Sequence, residues 1–398
     1  MAGERLVVGL VGAGTMGAGI AQLALQAGHE VLLNDVDEAA IARGRDRIAT
    51  GLDRLVAKGR MDADAAGAAL VERLRDAHGL DTLAAEADIV IEAALEDLEL
   101  KRTIFRALDS AAPANTMLAS NTSALSITEI AAATARPERV LGLHFFNPAP
   151  VMALVEVVQG EQTSGATMQA GLDFAHGLGK TAVGCRDAPG FIVNRVNRPF
   201  TLEALRMVDL GESTIEAIDA AVEAAGYPMG PFRLMDLVGI DVNLAVARSL
   251  YEAFDHAPRF RPSARQEELV EAGTLGRKSG SGFYRYGEDG TGLGTADRSA
   301  AGAEPSGEPL AGPEIVSRIE LAIINEAYHA VGDGVCSPED ADIALRLGAA
   351  HPYGPFERAG QLGLRNVVDG LERLAAGGEV DSRERFAAAP ALWSIATF

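Results

Sequence analysis

The stretch Leu6-Val7-Val8-Gly9-Leu10-Val11-Gly12-Ala13-Gly14-Thr15-Met16-Gly17 decides the fold. A short apolar run, Leu6–Val11, reads as a buried strand. It meets a Gly-x-Gly-x-x-Gly turn, and the alanine-rich segment Ala18–Gln26 then reads as a helix ending near Gly28. A second strand, Glu30–Asn34, delivers an acidic residue, Asp35, 18 positions beyond Gly17. A glycine turn alone is a common motif. Strand before, helix after and acid beyond make it a dinucleotide-binding fingerprint. Gly12 permits the tight turn, Gly14 lets backbone approach a pyrophosphate, and Gly17 lets the helix close on the strand. The amides of Thr15 and Met16 then open a helix N-terminus that suits anionic oxygens. Asp35 would accept from ribose hydroxyls and repel a 2′-phosphate, which favours NAD over NADP.

Outward from this unit the alternation continues. Strands are expected at Asp88–Glu92, Thr116–Ser120 and Val140–His144, with a helix at Glu99–Ala111 between the first two. Strand, helix, strand in repetition predicts a Rossmann-type α/β domain with a doubly wound, mostly parallel sheet. After Pro189-Gly190 the pattern changes, and Phe191–Phe254 reads as consecutive helices with short Gly or Pro breaks. Gly287–Gly312 is rich in glycine and small polar residues, the composition of a flexible linker. Helices then return as a repeat. Val193-Asn194-Arg195, Glu203, Gly211 and Asp219 match Val316-Ser317-Arg318, Glu326, Gly334 and Asp342 at a constant offset of 123. Gly230-Pro231-Phe232 matches Gly354-Pro355-Phe356 after one insertion. The expected domains are therefore 1–187 (nucleotide-binding), 188–286 (helical), 287–312 (linker) and 313–398 (a second helical copy). The apolar stripe Ile319, Ile323, Ile324 and Ala327 gives the second copy a face that could pack on the first as an internal pseudo-dimer, with further homo-oligomerisation left open.

Composition bounds the function. The chain has 398 residues and a net charge of −21, from 35 basic and 56 acidic side chains. So acidic a chain repels phosphate at long range, which argues against a nucleic-acid or anionic-membrane partner. Two distant cysteines, Cys185 and Cys336, argue against a disulfide scaffold or a cysteine-rich zinc site. No run of 18 apolar residues suggests a membrane span, and the first apolar run is too short for a signal segment. A cytoplasmic protein with no metal is expected. The segment Ala42–Arg60 departs from the overall charge, with Arg43, Arg45, Arg47, Arg54, Lys58 and Arg60 against Asp46 and Asp53. It is either a solvated helix face or a landing site for an anionic ligand.

Candidate chemistry gathers at strand ends, which line the crevice in this architecture. His144 ends one strand, and a returning strand after Asn147–Pro150 would carry Glu156 back towards it. Glu156 lies inside Leu154-Val155-Glu156-Val157-Val158, where an ionised carboxylate needs a partner. Base plus orienting carboxylate is the arrangement of general-base catalysis. Ser120-Asn121-Thr122-Ser123 also follows a strand, and Asn194 opens the helical half. Taken singly these would be helix caps. Lys180, in Gly177-Leu178-Gly179-Lys180, reads as a surface turn lysine.

Together the motifs resemble the 3-hydroxyacyl-CoA dehydrogenases. The matching stretches are the glycine turn, Ser120-Asn121-Thr122-Ser123, His144-Phe145-Phe146-Asn147-Pro148, Leu154-Val155-Glu156-Val157, Gly190-Phe191-Ile192-Val193-Asn194-Arg195 and Gly276-Arg277-Lys278-Ser279-Gly280. The resemblance implies His144 as general base paired with Glu156, and Ser123 and Asn194 as substrate-positioning groups. It places Glu96, Lys101, Asn147 and Lys278 near the nicotinamide cofactor, NAD. It also places the basic helix, with Arg54 and Lys58, where the family holds the CoA nucleotide. The implied activity is NAD-dependent oxidation of an L-3-hydroxyacyl-CoA, short-chain such as 3-hydroxybutyryl-CoA, in fatty-acid or related acyl-CoA metabolism. Longer relatives with a duplicated helical unit include enzymes acting on 3-hydroxyadipyl-CoA. Two rivals stand beside it: a hydroxyacid dehydrogenase using Lys180 as base, and a catalytically silent NAD-binding relative. Ser317 replaces Asn194 in the repeat, so no second active site is expected.

Overall fold

The computed structural model describes residues 5–287, 289–296, 309–377 and 380–397. The chain divides into two compact units, Met1–Phe191 and Ile192–Phe398. The first boundary thus falls a few residues beyond the expected 187/188, inside the segment that follows Pro189-Gly190. The two helical halves, expected as separate domains, form one unit.

The first unit is built on a single sheet. Its strands are β1 (Val7–Val11), β2 (Glu30–Asn34), β3 (Leu74–Asp76), β4 (Ile89–Glu92), β5 (Met117–Ser120), β6 (Val140–Phe145), β7 (Leu154–Gln159) and β8 (Thr181–Arg186). Their order is β3-β2-β1-β4-β5-β6-β7-β8. All neighbours are parallel except β6 and β7. Four of the five β1 residues are fully buried, as a parallel strand covered on both faces requires. The helices are α1 (Thr15–Gln26), α2 (Glu38–Ala57), α3 (Ala63–Glu72), α4 (Leu80–Glu86), α5 (Leu98–Ala111), α6 (Ile127–Ala131) and α7 (Gly165–Gly177). Leu10, Ile20, Leu25, Leu33, Ile48 and Leu52 join β1, β2, α1 and α2 in one apolar core. Asp37 caps α2 by accepting from the Ala40 amide, and Asp97 caps α5 by accepting from the Leu100 amide.

The second unit is helical: α8 (Val193–Val196), α9 (Arg198–Asp209), α10 (Ile215–Ala224), α11 (Pro231–Val238), α12 (Ile240–Ala253), α13 (Ala264–Glu271), α14 (Gly312–Gly332), α15 (Pro338–Gly348), α16 (Pro355–Leu362), α17 (Leu364–Ala375), α18 (Ser382–Arg385) and α19 (Pro390–Thr397). The repeat is visible in its hydrogen bonds. Asp219 accepts from the amides of Phe232 and Arg233 at the start of α11. Asp342 accepts from those of Phe356 and Glu357 at the start of α16. The expected apolar stripe of α14 is buried, with Ile319, Ile323, Ile324 and Ala327 at 3% exposure or less.

The two halves of this unit meet reciprocally. Arg195 of the first half pairs with Glu326 of the second at 2.7 Å. Arg318 pairs with Glu203 at 2.9 Å. Each residue is the counterpart of the other pair's member at the offset of 123, which is the signature of an isologous contact. Arg259 adds to Glu326 at 2.7 Å and Arg385 to Glu203 at 3.2 Å.

The expected linker is partly ordered by pairing. Gly292–Thr295 forms a strand, β10, antiparallel to β9 (Tyr284–Tyr286), and Gly312 already belongs to α14. Backbone hydrogen bonds alone sustain such a pair, so its weak side-chain signal hid it. The rest of that reading, Glu288 and residues 297–308, lies outside the described residues.

Candidate active site

The glycine turn joins β1 to α1. Gly12 has φ +99°, and a Cβ there would come within 2.6 Å of the Ala93 carbonyl. A Cβ on Gly17 would run into the Gly12 carbonyl, so α1 sits tight on its own turn. At Gly14 nothing lies within 4 Å of the Cβ direction. Gly14 and Thr15 are exposed, and no side chain caps α1. The open amides fit a pyrophosphate. Beside them is a cavity of about 880 Å³ lined by Gly12, Gly14, Asp35, Val36, Ala93 and Leu95, among others. Val36 and Leu95 are 93% and 77% exposed, apolar walls suited to a planar base. Asp35 Oδ2 accepts from the Ala13 amide and Oδ1 from the Val36 amide, both at 2.7 Å. These bonds fix the carboxylate at the cavity, and each oxygen keeps acceptor capacity. The residues present thus fit a dinucleotide.

At the carboxyl end of β4 lies a buried polar network. Glu92, fully buried, accepts from Lys101 Nζ at 2.6 Å, Ser120 Oγ at 2.7 Å and the Ala94 amide at 2.7 Å. Lys101 Nζ also lies 3.3 Å from Glu96 Oε2. Glu96 Oε1 accepts from Thr122 Oγ1 at 2.5 Å, the Ser123 amide at 2.9 Å and the Ala124 amide at 3.2 Å. Burial pushes the Glu96 carboxyl up, but the Thr122 hydroxyl, the Lys101 charge and the Ser123 amide outweigh it and hold it below the usual carboxylate range. Glu96 therefore anchors the turn that carries Ser123. Sequence reasoning missed Glu92, although a lone acid closing Ile89-Val90-Ile91 carries the same signal as Glu156.

His144 and Glu156 face each other across the antiparallel pair β6 and β7. His144 Nδ1 lies 2.6 Å from Glu156 Oε2. Both are buried, at 6% and 0% exposure. The ring is packed by Phe146 and Phe191, with centroids at 4.5 and 5.7 Å. Asn121, which the sequence reading left without a role, accepts from the Phe145 amide at 2.9 Å and ties the end of β6 to the Ser120–Ser123 turn. Asn147 is exposed just beyond.

Lys180 corrects its expectation. It is buried rather than on the surface, and its Nζ donates to the carbonyls of Ala149 and Met152, each at 2.7 Å. It pins the loop between β6 and β7. Burial pushes its pKa down.

Arg54 and Lys58 are exposed at the C-terminal end of α2. Arg45 is engaged with Asp76 at 2.7 Å and is a staple between α2 and β3. Asn194 lies in α8 and Lys278 in the short 3-10 turn Arg277–Ser279, both within the second unit, and Lys278 pairs with Asp241 at 2.5 Å. Among the described residues no group of His, Cys, Asp and Glu could hold a metal ion. Among them too, no helix is long and apolar enough to cross a membrane.

The model of the family "3-hydroxyacyl-CoA dehydrogenase, NAD binding domain" matches residues 7–188. That of "3-hydroxyacyl-CoA dehydrogenase, C-terminal domain" matches twice, at 190–286 and 315–397. The chain is 38% identical to the 3-hydroxyadipyl-CoA dehydrogenase of Escherichia coli K12, across 92% of this chain and 93% of that one. It is 45% identical to the 3-hydroxybutyryl-CoA dehydrogenase of Mycobacterium tuberculosis, across 70% of this chain and 98% of that one. A crystal structure of 3-hydroxybutyryl-CoA dehydrogenase from Escherichia coli K12 superimposes with a TM-score of 0.89 at 36% identity, covering 99% of this chain and 98% of that one. Glycine turn, crevice and duplicated helical half thus agree with these matches, and the chain belongs to the 3-hydroxyacyl-CoA dehydrogenase family of NAD-dependent oxidoreductases.

Proposed function

We propose that the chain oxidises short-chain L-3-hydroxyacyl-CoA, such as 3-hydroxybutyryl-CoA, to the 3-oxoacyl-CoA, and catalyses the reverse. The buried His144–Glu156 contact of 2.6 Å carries this reading. With Nδ1–H held by the carboxylate, Nε2 is the ring nitrogen left to take the C3 hydroxyl proton. Glu156 keeps the ring oriented and stabilises the imidazolium as it forms. Ser123, on the turn anchored by Glu96, and Asn194 position the hydroxyl or the thioester carbonyl. Gly12, Gly14, Thr15, Met16, Gly17 and Asp35 would hold the adenosine-phosphate part of NAD. Glu96, Lys101, Asn147 and Lys278 would serve its nicotinamide end. NAD, when bound, supplies the acceptor for the hydride leaving C3.

A second substrate reading is 3-hydroxyadipyl-CoA. It is favoured by the match to the Escherichia coli 3-hydroxyadipyl-CoA dehydrogenase, which extends through the second helical half. Rates on 3-hydroxybutyryl-, 3-hydroxyhexanoyl- and 3-hydroxyadipyl-CoA, read at the reduced-nicotinamide absorbance, separate the two. Highest kcat/KM on the C4 substrate supports the first reading. A clear preference for the dicarboxylate overturns it. The proposal places the enzyme in the cytoplasm, in keeping with a chain that carries only two cysteines, far apart in sequence. It also has the second helical half occupying, within one chain, the face a partner subunit would otherwise cover.

A further inference from the structure

Four of the cations of the basic helix, Arg43, Arg47, Arg54 and Lys58, recur at helical spacing along one side of α2. Their surroundings differ. Arg43 and Arg47 line the cavity beside the glycine turn, together with Asp35, Asp37 and Glu38. Arg54 and Lys58 do not.

The cause is a glycine between them. Gly44 is buried where α2 crosses the turn, and a Cβ there would come within 2.5 Å of Ala13 Cβ and 3.0 Å of the Ala13 carbonyl. The missing side chain lets α2 press on the turn. Its neighbours one residue before and three after are thereby carried to the cavity mouth. Arg47 Nη1 lies 3.5 Å from the Ala13 carbonyl, between the two glycines. Arg45, only two residues away, points elsewhere and is spent on Asp76.

Both Arg43 and Arg47 are exposed, and among the described residues neither is in an ion pair. Two of the nearby carboxylates are oriented by amides: Asp35 by those of Ala13 and Val36, and Asp37 by that of Ala40. Two guanidinium groups without carboxylate partners, one turn apart and facing a cavity, offer forked donors matched to phosphate oxygens. They also offset the repulsion that Asp35, Asp37 and Glu38 exert on an anionic ligand in a chain of net charge −21.

We propose that Arg43 and Arg47 form a phosphate clamp for the dinucleotide, acting on its diphosphate from the α2 side while the amides of α1 act from the other. The basic helix thus serves the cofactor at its N-terminal half, whatever its C-terminal half binds. The inference rests on the dinucleotide-binding role of this cavity.

The test uses the full chain and the variants Arg47→Ala, Arg43→Ala/Arg47→Ala and Arg47→Lys. Binding of NADH is followed by its fluorescence, and binding of ADP and of adenosine by calorimetry. The double variant should weaken ADP and NADH about fivefold to tenfold at low salt, as two partly solvated charge contacts would. Adenosine, which lacks phosphate, should bind as before. Arg47→Lys should retain part of the affinity, and the salt dependence of ADP binding should flatten in the double variant. Unchanged ADP binding would overturn the clamp. So would a parallel loss of adenosine, which would place the arginines against the base. A rise in KM for acetoacetyl-CoA with ADP unaffected would also overturn it and assign the pair to the CoA nucleotide.

Discussion

His144 owes its position to register. Antiparallel β6 and β7 place it directly opposite Glu156, so a two-strand hairpin supplies the whole base-and-carboxylate pair. His144→Gln should lower kcat by about 10² to 10⁴ while NADH binding, followed by fluorescence, is unchanged. Retention of more than half the rate would remove His144 from the mechanism. Glu156→Gln should also impair turnover, because a neutral amide no longer stabilises the imidazolium. At the other end of the crevice, Asp35 is oriented by two amides and presents its charge to the cavity. Wild-type enzyme should therefore prefer NAD, and Asp35→Ser with an added neighbouring arginine should narrow the preference. Equal kcat/KM for NAD and NADP in the wild type would contradict the ribose role.

Elements that bury a continuous apolar face were legible before the structure, and those that do not were missed. β1 announces itself as an apolar run closed by the glycine turn, and β2, β4, β5 and β6 as apolar runs with a polar residue at or beside their carboxyl ends. β3 has only three residues, two of them exposed charges, and is held by backbone pairing to β2. β10 is Gly-Leu-Gly-Thr, its one leucine exposed, paired to a tyrosine strand, with no apolar periodicity to read. The candidate site shows the same division. His144 and Glu156 were legible because a charge in an apolar strand demands a partner. The roles of Glu96 and Lys180 were not, because each acts through backbone groups of a loop. Lys180 looks like a surface residue only when the carbonyls of Ala149 and Met152 are out of view. This gives an element-scale expectation for the Ser120–Ser123 turn. Glu96→Gln removes the charge facing Lys101 and weakens the acceptor for Thr122, Ser123 and Ala124. KM for acetoacetyl-CoA should rise, while the melting temperature moves less than for a core truncation. A large loss of melting temperature with KM unchanged would make Glu96 purely structural.

Across the whole molecule, the duplicated helical half is what sets this chain apart from relatives that match only 70% of it. Its contact with the first half is electrostatic at the centre. Burial pushes the Glu203 carboxyl up, but Arg206, Arg318 and Arg385 outweigh it and hold it down at about 2. A carboxylate depressed in the folded state stabilises the fold above its unfolded pKa of about 4.3. That contribution fades as pH falls from there towards 2, so the helical unit should lose stability in acid across this window. Removing the charge at neutral pH is harsher, since three arginines are left facing a buried amide. Glu203→Gln should cost about 3–5 kcal/mol, measured by denaturant unfolding, as expected when one member of a buried ionic cluster is deleted. Truncation after Gly287 goes further. It takes away Glu326, Arg318 and Arg385, leaving Arg195 and Arg259 of the first half without Glu326, and Glu203 with Arg206 alone. It also uncovers the surface of α9 and α10 against which α14 packs. Such a face is self-complementary in origin, because the two halves are copies. The shortened chain should therefore aggregate or gain a dimer contact that the full chain lacks, which sedimentation of both at equal concentration would show. A truncated protein that stays soluble in the same oligomeric state as the full chain would mean that the second half does not stand in for a partner subunit.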